Sequence, residues 1–93
     1  MGKVASKKRT KRDIERLRKE IQCRLDRKKA KLGFALKVIE ETRQEAGWLT
    51  FIVVPDGLGV RAYDYAHTLT EVEDEVEKEA GEHYILLLPA LPD

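Results

Sequence analysis

The sequence holds few of the residues that most often carry chemistry. Its 93 residues include one cysteine, Cys23, two histidines, His67 and His83, and one serine, Ser6. A lone cysteine excludes a disulfide framework within the chain and a cysteine-based metal site, and it fits a reducing compartment. Cys23 falls opposite the helical apolar stripe, among Lys19, Arg24 and Arg27, cations of the kind that lower a thiol's pKa. It has no histidine partner and reads as a surface thiol. His67 and His83 have neither the i, i+4 nor the cysteine-partnered spacing of a metal site. With its only serine in the basic start, the chain offers no Ser-His-Asp arrangement. Gly57-Leu58-Gly59 lacks the Lys-Ser/Thr of a phosphate-binding loop and reads as part of a turn.

Long hydrophobic runs are also missing. The longest is the eight residues Trp48–Pro55, far short of the ~20 needed to span a bilayer. No apolar run of signal-peptide length follows the basic start. These absences predict a non-enzymatic, soluble, cytoplasmic protein with no cofactor, no metal and no membrane partner.

Charge is abundant. Charged residues make up 38% of the chain, against about a quarter in ordinary domains. They are also divided. Residues 1–31 hold 14 Lys and Arg against 4 Asp and Glu, a net +10, whereas residues 32–93 hold 4 against 13, a net −9. Such a division suggests a basic arm on an acidic body.

Residues 1–10 lack periodicity and read as a disordered basic tail, with Lys7, Lys8 and Arg9 continuing into Lys11 and Arg12. From Lys11 to Ala46 there is no proline. Ile14, Leu17, Ile21, Leu25, Leu32, Leu36 and Ile39 share one helical stripe, which predicts a long amphipathic helix over 11–46. Gly33 would mark a bend and Gly47 the stop. The second half, broader in its apolar surface, would pack on the body, leaving the first half to project.

Residues 47–93 then read as a small ββαβ body. Trp48–Val54 is a strand apolar on both faces. The Pro55–Gly59 stretch is a hairpin turn, and Val60–Tyr65 is the return strand. Asp64 would guard that strand's edge. Thr68 and Thr70 open a helix through capping boxes with Glu71 and Glu73, and Gly81 ends it. His83–Leu88 is a third strand. The fold class predicted is α+β: a long N-terminal helix, then a three-stranded, mainly antiparallel sheet of order 2-1-3 with helices packed on it. The Trp48 strand lies in the middle. One sheet face would then lack cover, which favours a homodimer.

The density of carboxylates over residues 71–79 reads as a solvated helix face that meets cations, since paired catalytic acids must converge from opposed elements. The basic segment suggests contact with phosphate, in DNA or RNA, through Lys7, Lys8, Arg9, Lys11, Arg12 and Arg16, continued by Lys19, Arg24, Arg27, Lys28 and Lys31. No aromatic is interleaved for base stacking. The alternative is a protein-interaction or oligomerisation module. There the stripe Ile14, Leu17, Ile21 and Leu25 docks on a partner, and the cations meet an acidic protein surface or the acidic helix 71–80.

Overall fold

The computed structural model describes residues 10–57 and 59–90. The tail expected over 1–10, with Lys7, Lys8 and Arg9, lies outside the described residues apart from Thr10. Thr10 itself caps helix α1 (Lys11–Arg27). Its hydroxyl accepts from the Asp13 N–H at 3.1 Å, and the Asp13 carboxylate accepts from the Thr10 N–H at 3.3 Å, so two orphan donors of the first turn are satisfied reciprocally. A short helix α2 (Lys29–Leu32) follows and ends on Gly33, whose φ of 88° only glycine adopts at low cost.

Beyond Gly33 the chain is extended. Strand β1 (Ala35–Glu45) runs into β2 (Trp48–Asp56), then comes helix α3 (Ala62–Ala80), then β3 (Ile85–Pro89). The sheet order is β1-β2-β3. β1 and β2 pair antiparallel, and β2 and β3 pair parallel. The fold is therefore α+β, and the three-stranded sheet is mixed, one antiparallel and one parallel pairing, instead of mainly antiparallel as expected.

Three expectations are corrected. The single helix over 11–46 is replaced by a 17-residue helix, a turn of helix and an 11-residue strand. Gly33 is a left-handed helix end instead of a bend. Ala46 and Gly47, both at positive φ (51° and 86°), form the two-residue turn of a β-hairpin instead of a helix stop. Second, the strand expected over 60–65 is the start of α3. Tyr65, Leu69, Val72 and Val76 lie on one helical stripe and are all buried, and that burial outweighs the β preference of Val60 and Tyr65. Asp64 is accordingly no edge residue: its carboxylate accepts from the Arg61 N–H at 2.9 Å in the first turn. Thr68 is buried inside the helix, and the Thr70 hydroxyl turns back to the Ala66 carbonyl at 3.3 Å. Third, the order 2-1-3 fails in its flank. The Trp48 strand is central, and 85–89 lies beside it, but its other neighbour is 35–45.

Both long helices lie on one face of the sheet. The core joins Leu17, Ile21 and Leu25 of α1 and Tyr65, Leu69, Val72 and Val76 of α3 to alternate strand residues: Leu36 and Val38, Leu49, Phe51 and Val53, Ile85 and Leu87. Lengths match, because a 17-residue helix spans about 25 Å and a nine-residue strand about 30 Å. The first half of the N-terminal segment thus covers the sheet instead of projecting from it.

Helix side chains also occupy part of both sheet edges. On the β1 side the Gln22 amide donates to the Leu36 carbonyl and accepts from the Val38 N–H, each at 2.9 Å. One side chain thereby substitutes for a neighbouring strand. Arg18 donates to the Glu40 carbonyl at 2.7 Å farther along the same edge. On the β3 side the Glu73 carboxylate accepts from the Leu87 N–H at 2.7 Å, and Pro89 has no N–H to offer.

The burial of α1 makes a stability prediction. Leu25→Ala removes a fully buried side chain and should cost about 2–5 kcal/mol, whereas Lys19→Ala on the exposed face should stay within about 0.5 kcal/mol. Urea denaturation of the two variants measures the difference. Near-equal small effects would mean that the α1 stripe is not core.

Candidate functional site

The residues expected to form a phosphate-binding rod divide into two groups. Lys11, Arg12, Lys19, Arg27 and Lys31 are exposed. Arg16 is exposed too, with its guanidinium 3.2 Å from Asp13. Arg24 and Lys28 face inward, towards α3. Arg24 is buried and meets Glu20 at 2.7 Å, Glu79 at 2.8 Å and Glu75 at 3.3 Å. Lys28 meets Glu75 at 2.8 Å and Glu71 at 3.5 Å. Arg18 pairs with Glu15. Arg24 and Lys28 are thus engaged with the carboxylates of α3, whereas the other described members of the rod stay exposed.

The apolar stripe is likewise spent within the fold. Leu17, Ile21 and Leu25 are buried and Ile14 is half-buried against the same core. The stripe expected to dock on a partner is placed in the core of the chain itself. The acidic helix does meet cations, as expected from its sequence, and those cations are the chain's own.

The seam sets the ionisation of its members. Hydrogen bonding to Glu79, outweighing the opposing effect of burial, holds Arg24 firmly in its charged form. Glu75 lies below its ordinary 4.5, first because Lys28 donates to it, and Lys28 is raised by the same bond. Glu73 is shifted the other way. Burial pushes it above 4.5, offset in part by the Leu87 N–H.

The second feature is the sheet face away from the helices. Alternation along the strands turns Trp48, Thr50, Ile52 and Val54 of β2 to this side, with Leu86 and Leu88 of β3 level with Thr50 and Ile52. Trp48 is 44% exposed and Leu88 41%, and no described helix lies over them. On β1 the same side carries Lys37, Arg43 and Glu45, paired in register with Val54, Thr50 and Trp48. Three strands about 4.8 Å apart and nine residues at about 3.3 Å each give a platform on the order of 400 Å², apolar along β2 and β3 and charged along β1, the size of the largest patch on ordinary monomers, which is often functional.

At one end of the platform Trp48 and Tyr84 meet edge to face, with centroids 5.4 Å apart. Tyr84 sits at a φ of 64°, and its carbonyl accepts from the Leu49 N–H at 2.9 Å, which docks the start of β3 on β2. Behind this corner a cleft of about 500 Å³ runs between α3 and β3, bounded by Trp48, Thr70, Glu73, Asp74, Glu77 and Tyr84 among others. Its chemistry suits positively charged or amphipathic groups. His83 is 3.1 Å from Glu77, and His67, exposed on α3, is 3.4 Å from Glu71. Among the described residues no group of His, Cys, Asp and Glu is placed to hold a metal ion, and no helix is long and apolar enough to cross a membrane. Cys23 is exposed.

Sequence reasoning passed over Gln22, Glu73 and the Trp48–Tyr84 corner. Gln22 was visible as the one uncharged amide in a helix of charges, flanking the stripe. Glu73 had no signal to separate it from its acidic neighbours. Compared with known protein families, with curated proteins and with solved structures, the chain matches none.

The opposed shifts at Glu73 and Glu75 predict opposed pH effects. A folded carboxyl below its unfolded value contributes stability above about pH 4.5 that is lost as pH falls through the folded pKa; a raised one does the reverse. Glu75→Gln should therefore be less stable than wild type at pH 7, with the gap closing below pH 4.5. Glu73→Gln keeps an amide oxygen for the Leu87 N–H and should be at least as stable as wild type at pH 7. Urea melts between pH 3 and 7 read both. A gap for Glu75→Gln that does not narrow between pH 7 and pH 3 would contradict the seam.

Proposed function

We propose that this protein acts without catalysis, as a protein-interaction module that self-associates through the open face of its sheet. The observation that carries the reading is the asymmetry of the sheet. One face is covered by two helices and each edge is partly occupied by helix side chains, yet the opposite face presents Trp48, Ile52, Val54, Leu86 and Leu88. A monomer gains nothing from an apolar platform in water. The homodimer expected from the sequence fits this surface, and the docking residues are those of the sheet, not the helical stripe.

Sedimentation equilibrium tests it. Wild-type protein should show a weak monomer–dimer equilibrium, in the high-micromolar range, because two platforms together bury about 800 Å², below the size of stable interfaces and in the range of weak, transient ones. Ile52→Glu places a charge at the platform's centre and should leave a folded monomer, with an unchanged far-UV spectrum. A wild type that stays monomeric at millimolar concentration refutes the reading.

A second reading, contact with nucleic acid, is supported by the cations that the seam does not use: Lys11, Arg12, Arg16, Lys19, Arg27 and Lys31 all stay exposed. Such contacts follow phosphate and weaken steeply with salt. Fluorescence anisotropy with a duplex DNA and a single-stranded RNA should then show binding at low salt that Arg12→Ala and Lys19→Ala each weaken and that high salt abolishes. No binding to either probe at about 50 mM salt removes this reading.

A further inference from the structure

We infer that the occupant of the open face is a second copy of this chain, related by a twofold axis that lies between the two sheets and runs across the strands. This rests on the reading of that face as a self-association surface and adds the orientation of the two copies. Strand addition is the common alternative for a small sheet, and here it is obstructed at both edges. Gln22 and Arg18 occupy outward groups of β1, while Glu73 and Pro89 close β3. These contacts occupy the middle of β1 and of β3, and the apolar face is the larger surface left to a second copy.

Two face-to-face arrangements have twofold symmetry, and the charges choose between them. With β2 as a ruler, Lys37 is level with Val54 at one end of the platform and Glu45 is level with Trp48 at the other. Both are exposed, and both lie on the same strand and the same face. Their midpoint is the level of Phe51. An axis across the strands at that level stacks β1 on β1 of the second copy in the opposite direction. Each Lys37 then faces a Glu45, twice per dimer, as an isologous interface requires. The same operation sets the bulk of Trp48 against the small Val54 and Leu86 against Leu88, whose levels on β2 are Thr50 and Ile52. Arg43, on the same face, is already matched by Glu41 at 3.7 Å within its own chain. An axis along the strands would instead stack β1 on β3, whose described residues carry no charge to meet Lys37 or Glu45. The resulting particle is a four-layer sandwich, helices outermost, with both acidic and basic helix surfaces facing solvent.

The experiment is a charge exchange read by sedimentation equilibrium, with Ile52→Glu as the control for the face itself. Lys37→Glu and Glu45→Lys should each raise the dimer dissociation constant about three- to tenfold at low salt, since each sets like charges together at both ends. The double variant K37E/E45K should return to within about twofold of wild type, and the differences should shrink as salt screens them. A dimer that Ile52→Glu abolishes, but in which the double variant is no tighter than the weaker single variant, overturns the twofold arrangement and leaves the docking face standing. A wild-type dimer indifferent to Ile52→Glu, or a larger protein complex formed by the wild type with no self-association, overturns both.

Discussion

The arrangement depends on the buried guanidinium of Arg24. It lies between α1 and α3 with three carboxylates around it, two of them from the other helix, and Lys28 extends the contact by one turn. A cation so far from water is tolerated only where its donors are matched. Matching is possible here because α3 offers an acid at 71, 75 and 79, one per turn of its inner edge. This seam fixes the two helices side by side on a single sheet face. It also changes the meaning of the charge division: part of the contrast between a basic first third and an acidic remainder is complementarity within the chain. A charge run is often a solvated surface or a site for a partner. Arg24 and Lys28 make it in part a fold determinant.

Placing both helices on one face has a consequence at the edges. A three-stranded sheet has only one interior strand, so most of its backbone needs cover from outside the sheet. α1 and α3 each lie along an edge strand and send a side chain over it. Gln22 presents an amide to β1 as a neighbouring strand would, and Glu73 takes up the free N–H of β3. Burial of Glu73 in this role explains why its carboxyl is pushed up while Glu75, two residues on, is pulled down. Two acids of one run thus serve opposite electrostatic situations, one as an acceptor beside apolar surface and the other as a counter-ion.

What could be read from the sequence follows from how local each signal is. The central strand was legible because Trp48–Val54 is apolar on both faces and too short for a helix, and β3 for the same reason. α1 was legible in its first half, where the stripe is dense. The error over 34–45 arose because Leu36 and Ile39 continue a helical stripe begun by Ile14, while Glu40, Glu41, Arg43, Gln44 and Glu45 suit a helix surface. The competing signals were Gly33 and Ala46-Gly47, which define a helix end and a hairpin turn only when read together. Val60–Tyr65 misled in the opposite sense: its β-forming residues yield to Leu69, Val72 and Val76, which extend the stripe of Tyr65 through a helix of 19 residues. For the candidate site, a bare apolar sheet face could be anticipated from composition. Its residues could not be named until the neighbour of β2 was known, because the register of β1 brings Lys37 and Glu45 to that face.

The relation between seam and open face also bears on how the molecule could have more than one role. The cations that hold the fold and the cations left on its surface lie on the same helix, one turn or less apart. Removing Arg24 perturbs structure, whereas removing Arg12, Lys19 or Arg27 removes only surface charge, so the long basic segment is not a single functional unit. The surface set lies on the layer farthest from the open sheet face. Self-association through that face would therefore leave the surface cations exposed, and would double their number on one particle. Under the two proposed readings, phosphate contact and dimerisation would not compete for surface, and the second would strengthen the first by bringing two weak electrostatic sites into one body. The physical separation of the two surfaces, set by Arg24 holding α1 flat on the sheet, is what would make the two proposed roles compatible.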